Sequence, residues 1–290
     1  MSSSPRLDTE WELHRPAVFG AAYRLLGSVA EADDVVQEVW LRAAGADLSQ
    51  VVNLRAWLLT VAARTSYNVV KSARVRHEDY VGPWLPEPLL TGPDAAGPVL
   101  VDESVGTAML VVMRALAPPE RVAFVLHDVF GLPFEQIAGV LDKSEAACRK
   151  LASRARGRVA AVRDHEPEGT RGERERVVAA FRAASQAGDL AGLVAVLDPD
   201  VVYVADGGGR TTAARVPMRG RERLAAMLAW IERRRPAERV RPIEVNGQPA
   251  LVTYRDGGPV WVDTFEIRHG RIVTLWRVAN PDKLQHLALD

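Results

Sequence analysis

PPERVAFVLHDVFGLPFEQIAGVLDKSEAACRKLASRARGRVAAVR, residues 118–163, decides how the rest of the chain is read. Pro118 and Pro119 close the segment before it. The spacing of Val122, Val125, Leu126 and Val129 predicts a helix over 120–130, ended by Gly131. Pro133 suits the first turn of a second helix, 133–141, with Phe134, Ile137, Ala138 and Leu141 at i, i+3, i+4 and i+7. Asp142 or Ser144 can cap a third helix, on which Ala147, Leu151, Ala155 and Val159 form one apolar stripe. The other faces of that helix carry Lys143, Arg149, Lys150, Arg154, Arg156 and Arg158 against Glu145 alone. A short helix, a tight turn and a basic helix make a helix-turn-helix. Its last helix can enter a major groove, with N-terminal residues at base edges and arginines on phosphates. A solvated basic face on a helical bundle is the plainer alternative.

The whole chain is not a polycation. It has 37 basic and 37 acidic side chains, so any nucleic-acid face must be local. At 290 residues it has room for two or three domains. A single cysteine, Cys148, excludes an internal disulfide framework and a Cys-rich zinc site. Inside the third helix it reads as a small buried hydrophobe rather than a redox switch. Residues 1–10 do not resemble a leader, and no run of 18 apolar residues is present, so a cytoplasmic protein with no membrane partner is expected. No metal motif, phosphate-binding glycine loop or nucleophile elbow points to an enzyme, a metal or a cofactor.

Before this stretch, periodicity predicts helices over 15–26, 30–44 and 54–76. The second, EADDVVQEVWLRAA, turns Val35, Val36, Val39 and Trp40 inward and Asp33, Asp34, Gln37 and Glu38 outward. Acids in its first turn also suit the helix dipole. The third has Trp57, Leu58, Val61 and Ala62 on its inner face and a basic exit of Arg64, Asn68, Lys71, Arg74 and Arg76.

DDVVQEVWLR, then RAWLLTVAAR, then PFEQIAGVLDKSEAACRKLASRAR resemble regions 2 and 4 of a bacterial sigma factor of the extracytoplasmic-function (ECF) group. The resemblance implies that Asp33, Asp34, Gln37 and Glu38 dock on the clamp helices of the core RNA polymerase beta-prime subunit. It implies that the loop 48–53, with Trp57, Arg64, Asn68 and Lys71, holds the melted minus-ten strand of promoter DNA. An extruded base needs a pocket and a ring or guanidinium plane, and the strand needs cations. The family favours Asn where this chain has Arg64. The minus-thirty-five element would meet Lys143, Ser144, Arg149, Lys150, Arg154 and Arg156.

From residue 77 to about 106 periodicity gives way to WLPEPLLTGPDAAGP and its surroundings, with Pro83, Pro86, Pro88, Pro93 and Pro98. Such prolines keep a tether extended, and a passive tether is the simplest reading. Trp84 argues otherwise, since an indole in a solvated tether should seek a surface. After the polar stretch DHEPEGTRG the pattern changes to helices over 175–187, 190–197 and 221–233 and strands over 201–205, 240–245, 250–254, 260–268 and 271–278. His269 and Gly270 suit a two-residue hairpin, with Trp261, Asp263, Phe265 and Ile267 alternating on one face. Helices followed by a curved antiparallel sheet form an α+β arrangement.

That order resembles the SnoaL-like cone, related to ketosteroid isomerase and polyketide cyclases. WLPEP at Trp84, Leu85, Pro86 and onward is the first of three further motifs. The others are DGGGR at Asp206, Gly207, Gly208, Gly209 and Arg210, and NPDKL at Asn280, Pro281, Asp282, Lys283 and Leu284. Together they are similar to the ECF subgroup with a fused SnoaL-like extension, where the family has Lys at the position of Arg210. The resemblance implies that the extension regulates in place of a separate anti-sigma factor, through a contact joining these three motifs. Tyr203, Asp206, Asp263 and His269 are the candidates for acid or base work in the cone, with Asp263 placed to have a raised pKa.

The expected fold is multidomain, with all-α sigma regions 2 and 4 followed by an α+β cone. Its expected parts are 1–77 as region 2, 78–107 as a Pro/Gly-rich linker, 108–164 as region 4, 165–172 as a second linker and 173–290 as the extension. The expected function is transcription initiation with core RNA polymerase at promoter DNA, without catalysis by the chain, and with a possible small-molecule ligand in the cone. Two rival readings are a ligand-responsive helix-turn-helix regulator and an isomerase or cyclase fused to a DNA-binding half. Copurification with core polymerase separates the first from a sigma factor. Replacing Asp263 while following a bound small molecule addresses the second.

Overall fold

A computed structural model describes residues 5–76, 80–92, 106–163 and 169–287. The side chains expected at Arg74 and Arg76, the linker residues Pro93 and Pro98, and most of DHEPEGTRG lie outside the described residues. The chain forms two compact units.

In the first unit, α1 (Pro5–Leu26) begins earlier than its periodicity predicts. Leu7 and Trp11 are buried, and Trp11 meets Trp40 edge-on with ring centroids 5.0 Å apart. That tertiary contact draws the first turns into the helix. Ser28 caps α2 (Val29–Ala44) by accepting from the Glu31 N–H, and Val35, Val36 and Val39 are buried. In α3 (Leu54–Arg76) the buried face is Leu54, Leu58, Leu59, Ala62, Ala63, Ser66 and Tyr67. Trp57 and Val61, expected inward, are half-buried at its margin.

After α4 (Thr107–Ala115), the helix expected over 120–130 is interrupted. Only α5 (Pro118–Phe124) is regular, and Val125–Val129 continues as a π turn. There the His127 Nδ1–H donates to the Leu132 carbonyl at 2.9 Å, while the imidazole stacks on Phe134. Pro133 precedes α6 (Phe134–Leu141) as its cap residue rather than its first helical one. Asp142, in the left-handed region at φ 53°, closes α6. Ser144 caps α7 (Glu145–Arg163) through the Ala147 N–H.

The buried stripe of α7 is Cys148, Leu151, Ala152, Ala155 and Val159. Ala147 is only half-buried. Burial pushes the Cys148 thiol up, away from the reactive thiolate. Alkylation of the native protein at pH 8 should therefore run at least about a hundredfold slower than in the denatured chain. Equal rates, followed by mass spectrometry, would show that the thiol is accessible.

The second unit contains α8 (Arg171–Ala187), α9 (Leu190–Val196) and α10 (Arg221–Arg234) against one sheet. Its strands are β1 (Leu90–Thr91), β2 (Leu197–Asp206), β3 (Met218–Arg219), β4 (Arg239–Val245), β5 (Gln248–Arg255), β6 (Gly258–Arg268) and β7 (Arg271–Val278), in the order β1-β4-β5-β6-β7-β2-β3. Thr170 and Glu173 form a reciprocal capping box on α8. The sheet is mixed rather than wholly antiparallel, because β2 runs parallel to β7, with Tyr203 opposite Leu275. Hairpins enforce antiparallel pairing, but β2 and β7 are joined through α10 and four strands, so the chain is free to close the sheet in parallel. Phe181, Tyr203, Leu224, Leu228, Phe265 and Ile267 belong to the core between helices and sheet, where Phe181 meets Phe265 edge-on at 5.1 Å.

Candidate functional site

The three motifs WLPEP, DGGGR and NPDKL meet in the second unit, around one carboxylate. β2 ends at Asp206, which is fully buried. Its Oδ1 accepts from the Tyr80 hydroxyl at 2.5 Å and from the Gly208 N–H at 3.0 Å. Its Oδ2 accepts from the Leu85 N–H at 2.8 Å and from Lys283 Nζ at 2.7 Å. Lys283 also donates to the Leu85 carbonyl and lies 3.9 Å from the centroid of the Trp84 ring. Trp84 thus has its surface, a desolvated ammonium over an indole face. Leu85, Pro86 and Leu284 are buried around this ion pair.

The glycines of DGGGR are required by space as well as by conformation. Gly208 sits at φ 57°, and a Cβ there would lie 2.3 Å from Asn280 Nδ2. Asn280 caps a short 3-10 turn, Pro281–Lys283, through the Asp282 N–H and donates to the Tyr80 hydroxyl at 3.1 Å. Arg210 reaches Asp282 at 3.1 Å, on the exposed rim of the cluster. Farther along the connector, His286 Nε2 donates to the Pro88 carbonyl at 2.6 Å, and the Gly247 N–H donates to Thr91 Oγ1. Leu90 and Thr91 pair with Val245 and Glu244 as an added edge strand.

Residues 80–91 are therefore not a passive tether but an integral part of the second unit. Tyr80 and His286 escaped sequence reasoning because each lies outside its motif. An aromatic hydroxyl upstream of WLPEP and a histidine just after NPDKL were the available signals. Burial and the Asp206 carboxylate keep the Tyr80 hydroxyl protonated well into alkaline solution.

The acid-base candidates are otherwise engaged. Both Asp263 oxygens accept from Arg277, Nε and Nη2 each at 2.7 Å, so Asp263 is half of a buried bidentate pair and not a lone carboxyl facing an apolar pocket. Tyr203 lies beside that pair, its phenol pushed up by burial. Asp206 holds the connector, and His269 occupies an exposed hairpin tip at φ 48°. Among the described residues no group of His, Cys, Asp and Glu is arranged to hold a metal.

In the first unit, Asp34 and Gln37 of α2 are exposed, Glu38 bonds Arg42 at 2.7 Å, and Asp33 is half-buried. Leu41, unnoticed in the sequence, is 64% exposed on the same face at i+7 from Asp34. Trp57, Arg64, Asn68 and Lys71 share one face of α3 at i, i+7, i+11 and i+14. Lys71 stands over the Tyr67 ring, and Arg64 donates to the Gly139 carbonyl of α6 at 2.7 Å.

On α7 the expected minus-thirty-five residues fall into two groups. Lys143, Ser144, Arg149 and Lys150 are exposed at its N-terminal end, where Arg149 bonds Glu145 and lies over Phe134. Arg154 and Arg156 instead reach back to Glu120 at 3.7 Å and Asp128 at 2.7 Å. Arg158 also bonds Glu120, at 3.0 Å. Glu120 is buried and further accepts from the Ala117 N–H, so it ties the C-terminal half of α7 to α5.

Two basic helical faces and an acidic one, followed by a cone domain, define a sigma factor with a C-terminal extension. Residues 11–76 match Sigma-70 region 2, residues 107–159 match Sigma-70 region 4, and residues 177–280 match the SnoaL-like domain. The ECF RNA polymerase sigma factor SigJ of Mycobacterium tuberculosis (strain ATCC 25618 / H37Rv) is 39% identical over 95% of this chain and 92% of its own length. The probable ECF RNA polymerase sigma factor SigI of Mycobacterium tuberculosis (strain CDC 1551 / Oshkosh) is 31% identical over 99% of this chain and 98% of its own. The crystal structure of Mycobacterium tuberculosis SigJ superposes with a TM-score of 0.77 at 38% identity, over 96% of this chain and 98% of that one. The chain belongs to the ECF RNA polymerase sigma factors and acts in transcription initiation, with RNA polymerase and promoter DNA as its partners. Among the described residues no helix is long and apolar enough to cross a membrane.

Proposed function

We propose that the cone domain regulates initiation by holding the connector between the two DNA-reading regions. The observation that carries this reading is the Asp206 carboxylate, which binds Tyr80 and Leu85 of the connector and Lys283 of the last motif at once. Captured residues 80–91 are withdrawn from the free connector, and that removes roughly 40 Å of extended contour. The minus-ten and minus-thirty-five elements lie roughly 85 Å apart along a duplex rising 3.4 Å per pair. Capture on that scale governs how readily both elements are reached together. β2 carries Tyr203 in the core and Asp206 at its end, so a small molecule acting on the cone would have a short route to the joint.

Within this scheme, Asp33, Asp34, Gln37 and Glu38 with Leu41 form the surface for the beta-prime clamp helices. The α3 face holds the minus-ten strand, and the N-terminal end of α7 reads the minus-thirty-five element. The cone is a regulator rather than an enzyme, supported by the engagement of Asp206 and Asp263 in ion pairs.

Arg149 is exposed and near the start of α7, so Arg149→Ala should weaken promoter binding of the reconstituted polymerase by about 1–3 kcal/mol. Footprinting that finds the Arg149/Lys150 double replacement indistinguishable from the parent removes the assignment. Truncation before residue 171, and separately removal of 280–290, tests the regulatory role in run-off transcription with core polymerase. The expected result is changed promoter output from both, and unchanged output from both would leave the extension a passenger.

A further inference from the structure

Between residues 215 and 241 nine arginines stand against three glutamates, in a chain whose formal charge is zero. The excess is carried by α10 and the segments at its two ends. Arg219 ends β3, Arg223 lies in the first turn of α10, Arg233 and Arg234 lie in its last, and Arg235 follows it. All five are exposed. Arg223, Trp230 and Arg234 share one face at i, i+7 and i+11. Trp230 is 52% exposed, and Arg234 stands 5.1 Å from its ring centroid.

The nearby acids are committed elsewhere. Glu222 bonds Arg221 at 3.0 Å. Glu232 accepts from the Ala237 N–H at 3.1 Å, and Glu238 accepts from the Asp256 and Gly257 N–H groups. Among the described residues none of the five arginines forms an ion pair. On α8, by contrast, Arg171 and Arg176 pair with Glu175 and Glu173. The helix dipole accounts for only part of this arrangement. Its negative end favours Arg233 and Arg234, but its positive end disfavours Arg223, and Arg219 stands just ahead of that same end. Cations left unanswered at both ends of one exposed helix repel one another until an anionic partner arrives.

The chemistry of that partner follows from what the chain works on. Duplex DNA carries roughly one negative charge per 1.7 Å of its axis. The 14-residue α10 is about 21 Å long and so lies alongside about a dozen such charges. α7 ends at Arg163 and α8 begins at Arg171, so the residues between them span at most about 30 Å. A unit tethered that closely to a helix lying on the minus-thirty-five element has duplex within reach, and guanidinium forks suit phosphate oxygens.

We propose that α10 carries a second DNA-binding surface of this factor, on which Arg219, Arg223, Arg233, Arg234 and Arg235 hold backbone phosphates of the duplex flanking the minus-thirty-five element. Phosphate contacts are blind to sequence, so this surface adds affinity and positions the cone without altering promoter choice. It rests on the reading of α7 given above.

The test uses core polymerase reconstituted with the full chain on a promoter duplex, with affinity measured between about 50 and 200 mM salt. Arg223→Gln/Arg234→Gln removes two phosphate contacts and should flatten the logarithmic salt slope by about 1.8. A fourfold rise in salt then weakens the parent about twelvefold more than the variant. Arg223→Lys/Arg234→Lys, which keeps both charges, should retain most of the slope. Arg171→Gln/Arg176→Gln removes the same charge from α8 and should leave the slope at the parent value. Hydroxyl-radical protection beside the minus-thirty-five element should fade in the α10 glutamine variant alone. Equal slopes in that variant and the parent, with a flattened slope in the Arg149/Lys150 double replacement, overturn the surface and leave the α7 reading intact. No flattening in either removes both. Equal flattening in the α8 control also overturns the surface, because net charge alone would then suffice. Weaker association with core polymerase in the absence of DNA, at an unchanged promoter slope, places an acidic protein surface on α10 instead of DNA.

Discussion

Asp206→Ala should release the connector and lower the stability of the joint by about 3–5 kcal/mol, the cost of stranding one charge of a buried pair. Four donors converge on this carboxylate, and alanine leaves Lys283 buried without its counter-charge. Hydrogen exchange is the direct measurement. Amides in 83–91 should go from strongly protected to near the free-chain rate, while those of α2 and α3 keep their protection. Asn is no remedy at this position. Whichever way its amide turns, the NH2 meets a donor, either the Gly208 N–H or the Leu85 N–H and the Lys283 ammonium. Undiminished protection at Leu85 in Asp206→Ala would show that the joint is held by apolar packing alone. Promoter output should change in the same direction as in the truncated chain, because both remove the same restraint.

Arg277→Met should be comparably severe for a different reason. Burial works against the Arg277 charge, and Asp263 and Tyr203 outweigh it, so the guanidinium is held more firmly protonated than in water. Removing it leaves Asp263 charged and desolvated, again about 3–5 kcal/mol by denaturant unfolding of the second unit. Asp263→Leu combined with Arg277→Met should recover most of that loss, since an apolar pair of similar volume carries no stranded charge. Should the double replacement prove as damaging as the single one, the ion pair is needed for something beyond neutralising itself. Trp261, with Arg255 and Arg277 each 4.3 Å from its ring centroid, would be the first neighbour to examine.

Much of the helical half was legible because its signals are local. Ser144 before α7, the stripe on α7 and the face shared by Trp57, Arg64, Asn68 and Lys71 follow from side-chain type and a period of 3.6. The motifs WLPEP, DGGGR and NPDKL were likewise visible as clusters of glycine, proline and charge that no helix or strand period explains. Trp84 pointed correctly to a partner surface, because a large apolar ring gains free energy only when covered.

The failures share a cause. Leu90 and Thr91 become a strand only because β4 offers an open edge, and two residues carry no period of their own. The parallel closure of β2 on β7, the π turn at Val125–Val129 and the early start of α1 at Pro5 depend on neighbours distant in sequence. Asp263 looked like an acid facing a cavity until Arg277, on the next strand, filled both of its oxygens.

Residue order alone determined the helical faces, the basic surface of α7, the domain succession and the family, since each depends on patterns read within one segment. Which groups those surfaces touch was decided only in three dimensions. Tyr80 and Lys283 on Asp206, Arg64 on Gly139 and Arg154 on Glu120 are all pairings across long stretches of chain. A charged side chain advertises its need for a partner, but many partners of the right sign are available along the sequence. Only packing selects among them, by bringing one within hydrogen-bond distance and removing water from the rest.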